Sequence, residues 1–397
     1  MLLLLVTLML FGHAAICVAT INRMHGTGLP RWFLHMTDVL WGLFAVGIPC
    51  LIAISVWQAQ WSGPLATWLP PAGSFWHRAV QGYLVLTLGS AVVAVAQWSY
   101  RRWLVPTTHR LTTNHTKTVN VQDQCDVPLA SHVVTRLAAK LPFNEILTLS
   151  IHEKNLRLPR LPESLDGLQI AHLSDLHFTG HIDRRFFTEV VDQTNALRAD
   201  LIAITGDIID KAKCLTWIPE ILGRLQAPQG VFYVLGNHEL RVKDEPAVRQ
   251  ALQSAGLVDM GDHWRVLDLP GGSLLLAGNE RPWYRRVAEM KDAPRFTPGG
   301  DPLFRVLLTH TPDQLPWARR HGFDLMLAGH THGGQVRFPV IGPVLAPSLY
   351  GVRHASGTFF ESPTLLHVSR GISGTRPLRV NCAPEVAKLV LRCESTR

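Results

Sequence analysis

A series of short polar motifs carries the side chains that proteins use to bind metal ions. In chain order the motifs are Asp175-Leu-His177, Gly206-Asp207, Gly236-Asn237-His238-Glu239, His310, and His330-Thr-His332 within the sequence GHTHGGQ. Carboxylate, amide and imidazole donors without a thiolate suit Mn²⁺, Fe or Zn²⁺ better than the oxygen-only sites of Mg²⁺ and Ca²⁺. The motifs predict a site for two divalent metal ions, with Mn²⁺ favoured.

The motifs follow short apolar runs at residues 167–174, 200–205, 230–235, 304–309 and 323–328. Continuous apolar runs bounded by turn residues are typical of strands that are buried on both faces. In open α/β sheets, ligands bind beyond the carboxyl ends of the strands. We therefore expect five strands to place these side chains around one point.

Helical periodicity at residues 182–198, 215–225 and 245–255 alternates with these runs, which indicates an α/β domain. An alternating pattern within residues 146–166 predicts an additional strand. Further strands at residues 365–369 and 386–391 are expected to complete a second sheet.

Two metal ions about 3.5 to 4 Å apart can hold the attacking and leaving oxygens of a phosphoryl transfer and supply hydroxide near neutral pH. The predicted reaction is therefore hydrolysis of a phosphoester or pyrophosphate bond by metal-bound hydroxide. After Arg110 the numbers of basic and acidic residues are nearly equal. Because nucleic-acid-binding faces show clustered Lys and Arg, we expect no nucleic acid partner.

The motif order DxH, GD, GNH[ED], a later His and GHxH resembles the calcineurin-like metallophosphoesterase superfamily. The block GHTHGGQ, followed by Tyr350-Gly351, Val368-Ser-Arg370-Gly371 and Pro384-Glu385, is similar to a membrane-associated bacterial branch that acts on phospholipids or lipid-linked nucleotide sugars. This resemblance extends over residues 146–392. It implies an αββα sandwich, in which two sheets pack face to face between outer helices.

The resemblance also implies seven metal ligands: three for one ion, three for the other, and one that bridges both. The resemblance assigns one ion to Asp175, His177 and His332, and the other ion to Asn237, His310 and His330. It assigns the bridging position to Asp207. His238 matches the family's catalytic histidine, which stabilises the transition state or protonates the leaving oxygen, and it acts together with the bridging Asp207. Asp175 is a candidate to orient His238.

Substrate contacts are predicted at two places outside these motifs. His181 follows the first ligands on a glycine loop, which places it within reach of a substrate. Arg281 and Arg285 flank Trp283 and Tyr284 in a basic aromatic cluster, and arginine binds phosphate in a bidentate manner. A solvated loop is the alternative interpretation of this cluster.

The 397-residue chain divides by composition into three parts. Residues 1–105 hold uncharged apolar runs at 1–21, 39–57 and 79–98, each near the roughly 20 residues that cross a bilayer, which predicts a membrane anchor of three transmembrane helices. The first run lacks a basic segment, which favours an uncleaved helix over a signal peptide. Residues 106–143 are predicted to be a polar linker with one short helix, and residues 144–397 the metallophosphoesterase domain.

Basic residues beside the predicted spans set the orientation of the anchor. Arg23 and Arg31 share one side with Arg101, Arg102, Arg110 and Lys117, whereas only Arg78 lies between the second and third spans. The positive-inside rule places the richer side in the cytoplasm. We therefore expect a multi-pass protein of the inner cell membrane with its catalytic domain on the cytoplasmic side.

Three functions are compatible with this pattern. The leading hypothesis is a hydrolase anchored in the lipid bilayer, whose phosphate-containing substrate is amphipathic, either a lipid or a lipid-linked nucleotide. A tethered phosphatase or phosphodiesterase for nucleotides or phosphopeptides is the second. A non-catalytic scaffold on the same fold is the third, and the intact ligand set argues against it.

Overall fold

The computed structural model describes residues 2–62, 73–100, 103, 110–374 and 376–394. The chain forms two compact units, residues 1–106 and 107–397, and each is described by itself. The first unit contains the helices α1 (Leu2–His25), α2 (Arg31–Ser62) and α3 (Phe75–Ser99). Within them, the segments Leu3–His25, Arg31–Ile54 and Phe75–Ser99 are long and apolar enough to cross a membrane.

The three predicted spans lie in these three helices, except for Met1, which is outside the described residues. Arg101 and Arg102, on which the predicted orientation partly rests, are also outside them. Helix α3 begins after Ser74, whose hydroxyl accepts a hydrogen bond from the backbone N–H of His77 at 3.1 Å. Serine at this position supplies an acceptor for an N–H group that has no partner within the helix.

The second unit contains two large sheets. The first has seven strands in the spatial order β1-β2-β15-β3-β4-β5-β6. These strands are β1 (Leu111–Asn120), β2 (Thr148–Leu158), β3 (Gln169–Leu173), β4 (Leu201–Thr205), β5 (Val231–Val234), β6 (Val258–Asp259) and β15 (Glu385–Cys393). Strands β3 to β6 run parallel to one another, so that their carboxyl ends meet at one edge.

The second sheet has six strands in the spatial order β13-β14-β10-β9-β8-β7. These strands are β7 (Trp264–Leu269), β8 (Gly272–Asn279), β9 (Phe304–Thr309), β10 (Leu325–Ala328), β13 (Gly357–Glu361) and β14 (Thr364–Val368). A separate two-stranded hairpin consists of β11 (Arg337–Phe338) and β12 (Gly342–Pro343).

Among its described residues, the second unit also contains five α-helices. They are α4 (Val133–Ala139), α5 (Arg184–Ala196), α6 (Trp217–Ile221), α7 (Glu245–Ser254) and α8 (Leu315–Arg320). Side-chain oxygens of Asp183 and Asp244 cap the first turns of α5 and α7, each accepting a backbone N–H at 3.0 Å. Such caps fix where the amphipathic segments begin.

The packing forms layers of helices, sheet, sheet and helices. Strand β4 shows the alternation, since Leu201 and Ala203 belong to the core between the sheets whereas Ile202 and Ile204 belong to the core beneath α5 to α7. Helix α8 packs on the outer face of the second sheet. The prediction of an αββα sandwich that follows apolar N-terminal helices in the chain is confirmed.

The structure differs from two predictions about individual segments. The polar linker predicted for residues 106–143 contains β1, which pairs with β2 and is solvent-exposed along most of its length, so apolar periodicity could not reveal it. The strand predicted at residues 386–391 belongs to the first sheet, where β15 inserts between β2 and β3. Partner choice depends on chain topology, which the local sequence does not encode.

Candidate metal centre

The predicted ligands lie directly beyond the strands that were expected to carry them. Asp175 and His177 follow β3, Asp207 follows β4, His310 follows β9, and His330 with His332 follows β10. All of these residues except His310 adopt a positive φ, between 50° and 71°. Non-glycine residues rarely adopt this conformation, and strained backbone of this kind clusters at functional sites.

Asp207 lies at the centre of the cluster. Its Oδ2 atom is 3.2 Å from His310 Nε2, 3.6 Å from His177 Nε2 and 3.8 Å from His238 Nε2. Its Oδ1 atom accepts a hydrogen bond from the backbone N–H of His238 at 2.8 Å. One carboxylate oxygen therefore faces imidazoles from three different strand ends.

Two groups of donor atoms share this carboxylate. The first consists of Asp175, His177, Asp207 and His332, and the second of Asp207, His310 and His330. Within each group the donor atoms lie within 4.8 Å of one another. The structure thus brings together six of the seven predicted ligands, in the division that the resemblance implied. Asn237, the seventh, lies in the loop after β5, next to His238.

The donor set fits divalent metal ions. Among the described residues, Asp207 Oδ2 and Asn237 Oδ1 are buried side-chain oxygens that accept no hydrogen bond. His177 Nε2 lies 3.2 Å from His332 Nε2, and His330 Nδ1 lies 3.1 Å from His310 Nε2. Buried polar atoms normally have partners, and imidazole nitrogens facing one another across such gaps suit a shared cation.

Hydrogen bonds fix the orientation of the imidazoles. His310 Nδ1 donates to the carbonyl of Thr205 at 2.7 Å, and His332 Nδ1 donates to the carbonyl of Ser373 at 3.1 Å. These bonds place the proton on Nδ1 and leave Nε2 with a lone pair directed at the cluster. Such outer partners set the tautomer of metal-binding histidines.

Asp210 contacts two of the predicted site residues, which the sequence did not reveal. Its two carboxylate oxygens accept hydrogen bonds from His177 Nδ1 and His238 Nδ1, each at 2.7 Å. It also forms an ion pair with Arg241, whose Nη2 donates to His238 Nε2 at 3.0 Å. Asp210, rather than Asp175, therefore orients His238. The carboxylate of Asp175 instead accepts the backbone N–H of His330 at 3.1 Å.

Burial and neighbouring charged groups set the pKa values of His238 and Asp210. Burial lowers the pKa of His238 to about 4, although the carboxylate of Asp207 opposes the effect. Burial raises the pKa of Asp210, but hydrogen bonds from His177 and His238 outweigh it and hold the pKa well below the usual range. Asp210 is therefore an anion that accepts from a neutral His238 at neutral pH.

Glycines allow the close approach of the loops. A β-carbon at Gly329 would lie 1.8 Å from Ser174 Oγ and 2.4 Å from Asp175 Oδ2. A β-carbon at Gly236 would lie 2.4 Å from Asp207 Oδ1. Only glycine fits at these two positions without moving a predicted ligand.

Trp283 forms one wall of the cluster. Its ring centroid lies 4.7 Å from that of His330 and 5.4 Å from that of His310. Arg281 and Arg285, on either side of it, are exposed. The structure therefore brings Trp283 to the cluster but gives the two arginines no direct contact with the predicted ligands.

His181 lines a shallow cavity together with Ser373, Gly374 and Arg376. Its ring stacks on His132 at 4.9 Å between centroids, and its Nε2 lies 3.4 Å from Lys211 Nζ. Ser373 also accepts the hydrogen bond from His332, so this cavity adjoins the cluster. His181 thus lies in a basic surface beside the predicted metal ligands.

Residues 168–334 match the family model described as calcineurin-like phosphoesterase. The chain is 28% identical over 252 residues to the uncharacterized metallophosphoesterase YkuE of Bacillus subtilis, covering 60% of this chain and 84% of the relative. It is 28% identical over 239 residues to the phosphodiesterase YaeI of Escherichia coli, covering 59% of this chain and 86% of the relative.

A third relative is the UDP-2,3-diacylglucosamine pyrophosphatase LpxG of Chlamydia muridarum. It is 25% identical over 288 residues, which cover 60% of this chain and 87% of the relative. Together with the family match, these relatives confirm the resemblance that the motifs indicated. The chain therefore carries a calcineurin-like metallophosphoesterase domain, and it is a metal-dependent hydrolase of phosphoric esters.

Proposed function

We propose that this chain is a membrane-anchored hydrolase with two metal ions, which cleaves a phosphoester or pyrophosphate bond in a lipid or lipid-linked nucleotide. The observation that carries the proposal is the sharing of Asp207 between two groups of donors. A carboxylate in this position can bridge two cations.

In this proposal Asp175, His177 and His332 would hold one ion with Asp207, and Asn237, His310 and His330 would hold the other. Two such ions would supply charge neutralisation at the phosphoryl oxygens and a lowered pKa for bound water. Mn²⁺, Fe and Zn²⁺ all suit the mixed oxygen and nitrogen donors, and Mn²⁺ is our first choice.

His238 is the proposed group for contact with the substrate. Its Nδ1 proton is directed at Asp210, so Nε2 is the ring atom on the side of the cluster, 3.8 Å from Asp207 Oδ2. Arg241 donates to the same Nε2 atom and brings a positive charge to the mouth of the site. Arg241 can therefore donate to a phosphoryl oxygen, since arginine stabilises charge that develops in the transition state, whereas His238 Nε2 is an acceptor that can take up a proton.

The basic surface around His181 supports an anionic substrate with more than one charged group. Lys211 lies beside His181. Lys213 Nζ lies close to Gly180: a β-carbon added to this glycine would be 3.1 Å from it. Arg281 and Arg285 extend the exposed positive charge beyond Trp283. A second phosphate of a pyrophosphate, or a charged lipid headgroup, fits this distribution.

Two observations support a lipid-linked substrate. The chain has three helices of membrane-spanning length and composition, and a relative acts on a diacylated nucleotide sugar, as its name states. We further propose that the protein is a multi-pass protein of the inner cell membrane with its catalytic domain in the cytoplasm. A phosphatase reporter fused after Arg397 that is active outside the membrane would contradict this orientation.

A lipid-extract screen tests the proposed function. The purified full chain, loaded with Mn²⁺, is incubated with extracts and, separately, with soluble nucleotides and phosphopeptides. One lipid species should disappear with the wild type but not with Asp207→Asn. Asp268→Asn, the same change at an exposed strand position, is the matched control and should retain full turnover. Turnover of the soluble compounds alone would favour a tethered phosphatase for soluble substrates.

A further inference from the structure

An apolar hairpin projects from the second unit directly after the GHTHGGQ motif. It consists of β11, β12 and the connecting residues 339–341. Phe338, Val340 and Ile341 expose 51%, 79% and 61% of their surfaces. Single exposed apolar residues are ordinary, but a tip formed almost entirely of large apolar side chains marks a contact surface.

The backbone holds this tip in a strained conformation. Ile341 N–H donates to the carbonyl of Pro339 at 2.8 Å, and Val340 between them has a φ of 67°. This is the rare form of γ-turn, and a β-branched residue is unusual in it. The turn keeps consecutive apolar side chains pointing away from the core.

The base of the hairpin is firmly fixed beside the predicted metal ligands. Arg337 N–H donates to the carbonyl of Val380 at 3.0 Å, and Asn381 Nδ2 donates to the carbonyl of Arg337 at 3.0 Å. A β-carbon at Gly334 would lie only 2.5 Å from Pro343 Cβ. The hairpin therefore packs against the loop that contains His332, while its tip remains uncovered by described residues of its own unit.

We infer that this hairpin inserts into the surface of a lipid bilayer. The same chain carries three helices that are long and apolar enough to cross a membrane, and a chain anchored by them would have a bilayer within reach. No acidic residue occurs from His332 to Phe360, and Arg337 lies at the base of the hairpin. Apolar tips with basic and no acidic neighbours suit the boundary between anionic headgroups and acyl chains.

The inference goes beyond the proposed function, because it concerns a surface outside the metal cluster and does not require hydrolysis. It adds that the mouth of the site, beside His332, is held at the level of the headgroups. A substrate embedded in the bilayer would then reach the site without leaving the membrane.

Photocrosslinking of the full chain in phosphatidylethanolamine and phosphatidylglycerol nanodiscs tests the inference. A benzophenone side chain is introduced by Ile341→p-benzoylphenylalanine and, as a control, by Val266→p-benzoylphenylalanine on the exposed edge strand β7. Mass spectrometry should find a phospholipid adduct at position 341 and only background at position 266. No adduct at position 341, equal yields at both positions, or a crosslink to a second copy of the chain in place of lipid would overturn the inference.

A charge variant provides an independent check. With the benzophenone at Val340, the additional change Ile341→Asp should lower the lipid adduct at least about fivefold, because a carboxylate opposes insertion among anionic headgroups. The unfolding temperature should not change, since the side chain is exposed. An unchanged adduct would contradict the inference. Absence of hydrolysis in every variant would count against the proposed function alone.

Discussion

The carboxylate of Asp210 accepts hydrogen bonds from both His177 and His238, each at 2.7 Å. One side chain thus orients a proposed metal ligand and the proposed catalytic histidine at the same time. Removal of this carboxylate should affect metal binding and turnover together.

Asp210→Ala should lower metal affinity or kcat by about 10- to 100-fold, as removal of outer-shell partners of metal-binding histidines does. Asp210→Asn retains an acceptor for one imidazole, so its loss of metal affinity or kcat should be smaller. Metal content and steady-state kinetics of the full chain measure both effects. Asp192→Asn, at an exposed ion pair with Arg224, is the control. Equal activity of Asp210→Ala and the wild type would disprove the positioning role.

Trp283 should restrain the imidazoles of His310 and His330, against which its ring packs. Trp283→Ala removes this wall and should weaken metal retention. Trp283→Phe preserves an aromatic surface, and its metal retention should lie between that of the alanine variant and that of the wild type. Dialysis against a chelator, followed by measurement of residual metal, provides the comparison. Trp317→Phe, on the outer face of the second sheet, should retain metal as the wild type does.

Gly329→Ala should disrupt the site, because the added carbon would overlap Ser174 Oγ and Asp175 Oδ2. Overpacking of this kind costs about 1–3 kcal/mol and more where backbone must move. Gly299→Ala is the matched control, since its nearest neighbour would be 3.6 Å away. Unfolding temperature and metal content should both fall for Gly329→Ala only. A stable, metal-loaded Gly329→Ala protein would show that the loops have more room than the structure indicates.

The buried side chains of His172 and His354 should each make the metal-free protein less stable as the pH falls below about 6.5. Burial lowers the pKa of His172 to about 3 and that of His354 to about 4. As the pH falls, both imidazoles are therefore protonated in the unfolded chain before they are protonated in the folded chain. The full contribution of each group to the free energy of unfolding is present above its pKa in the unfolded chain. This contribution declines by about 1.4 kcal/mol per pH unit as the pH falls towards the pKa in the folded chain.

Denaturant unfolding of the chelator-treated chain between pH 7 and pH 5 measures this slope. His354→Gln removes one titrating group and should give a shallower dependence, even where its stability at pH 7 is lower. An identical slope in the variant and the wild type would mean that His354 is protonated equally in both states.

The motif strands could be predicted because each combines a fully apolar run with a polar residue at its end. Strands β3, β4, β5, β9 and β10 lie where these runs predicted them. Asp210 could not be recognised, since a carboxylate in the loop after β4 resembles any loop residue until the folded chain places it beside His177 and His238. The position of Trp283 on the imidazoles is likewise a long-range contact without a local pattern.

The exposed strand β1 and the placement of β15 escaped prediction for a different reason. Sequence periodicity reports burial, and most of β1 is exposed on both faces, so its polar residues resemble a linker. The apolar run of β15 correctly indicated a strand, but either sheet could have accommodated it. His181 was identified because it follows Asp175 and His177 closely along the chain, and its contact with substrate stays a prediction.

The number of metal ions bound per chain tests the central proposal most directly. The purified full chain, reconstituted with Mn²⁺ and freed of excess metal, should contain two ions per chain by elemental analysis. Asp207→Asn should lose at least one of them, whereas Asp268→Asn should retain both. A wild-type chain that hydrolyses phosphodiesters with no bound metal, or an Asp207→Asn chain that keeps two ions and full activity, would contradict the account.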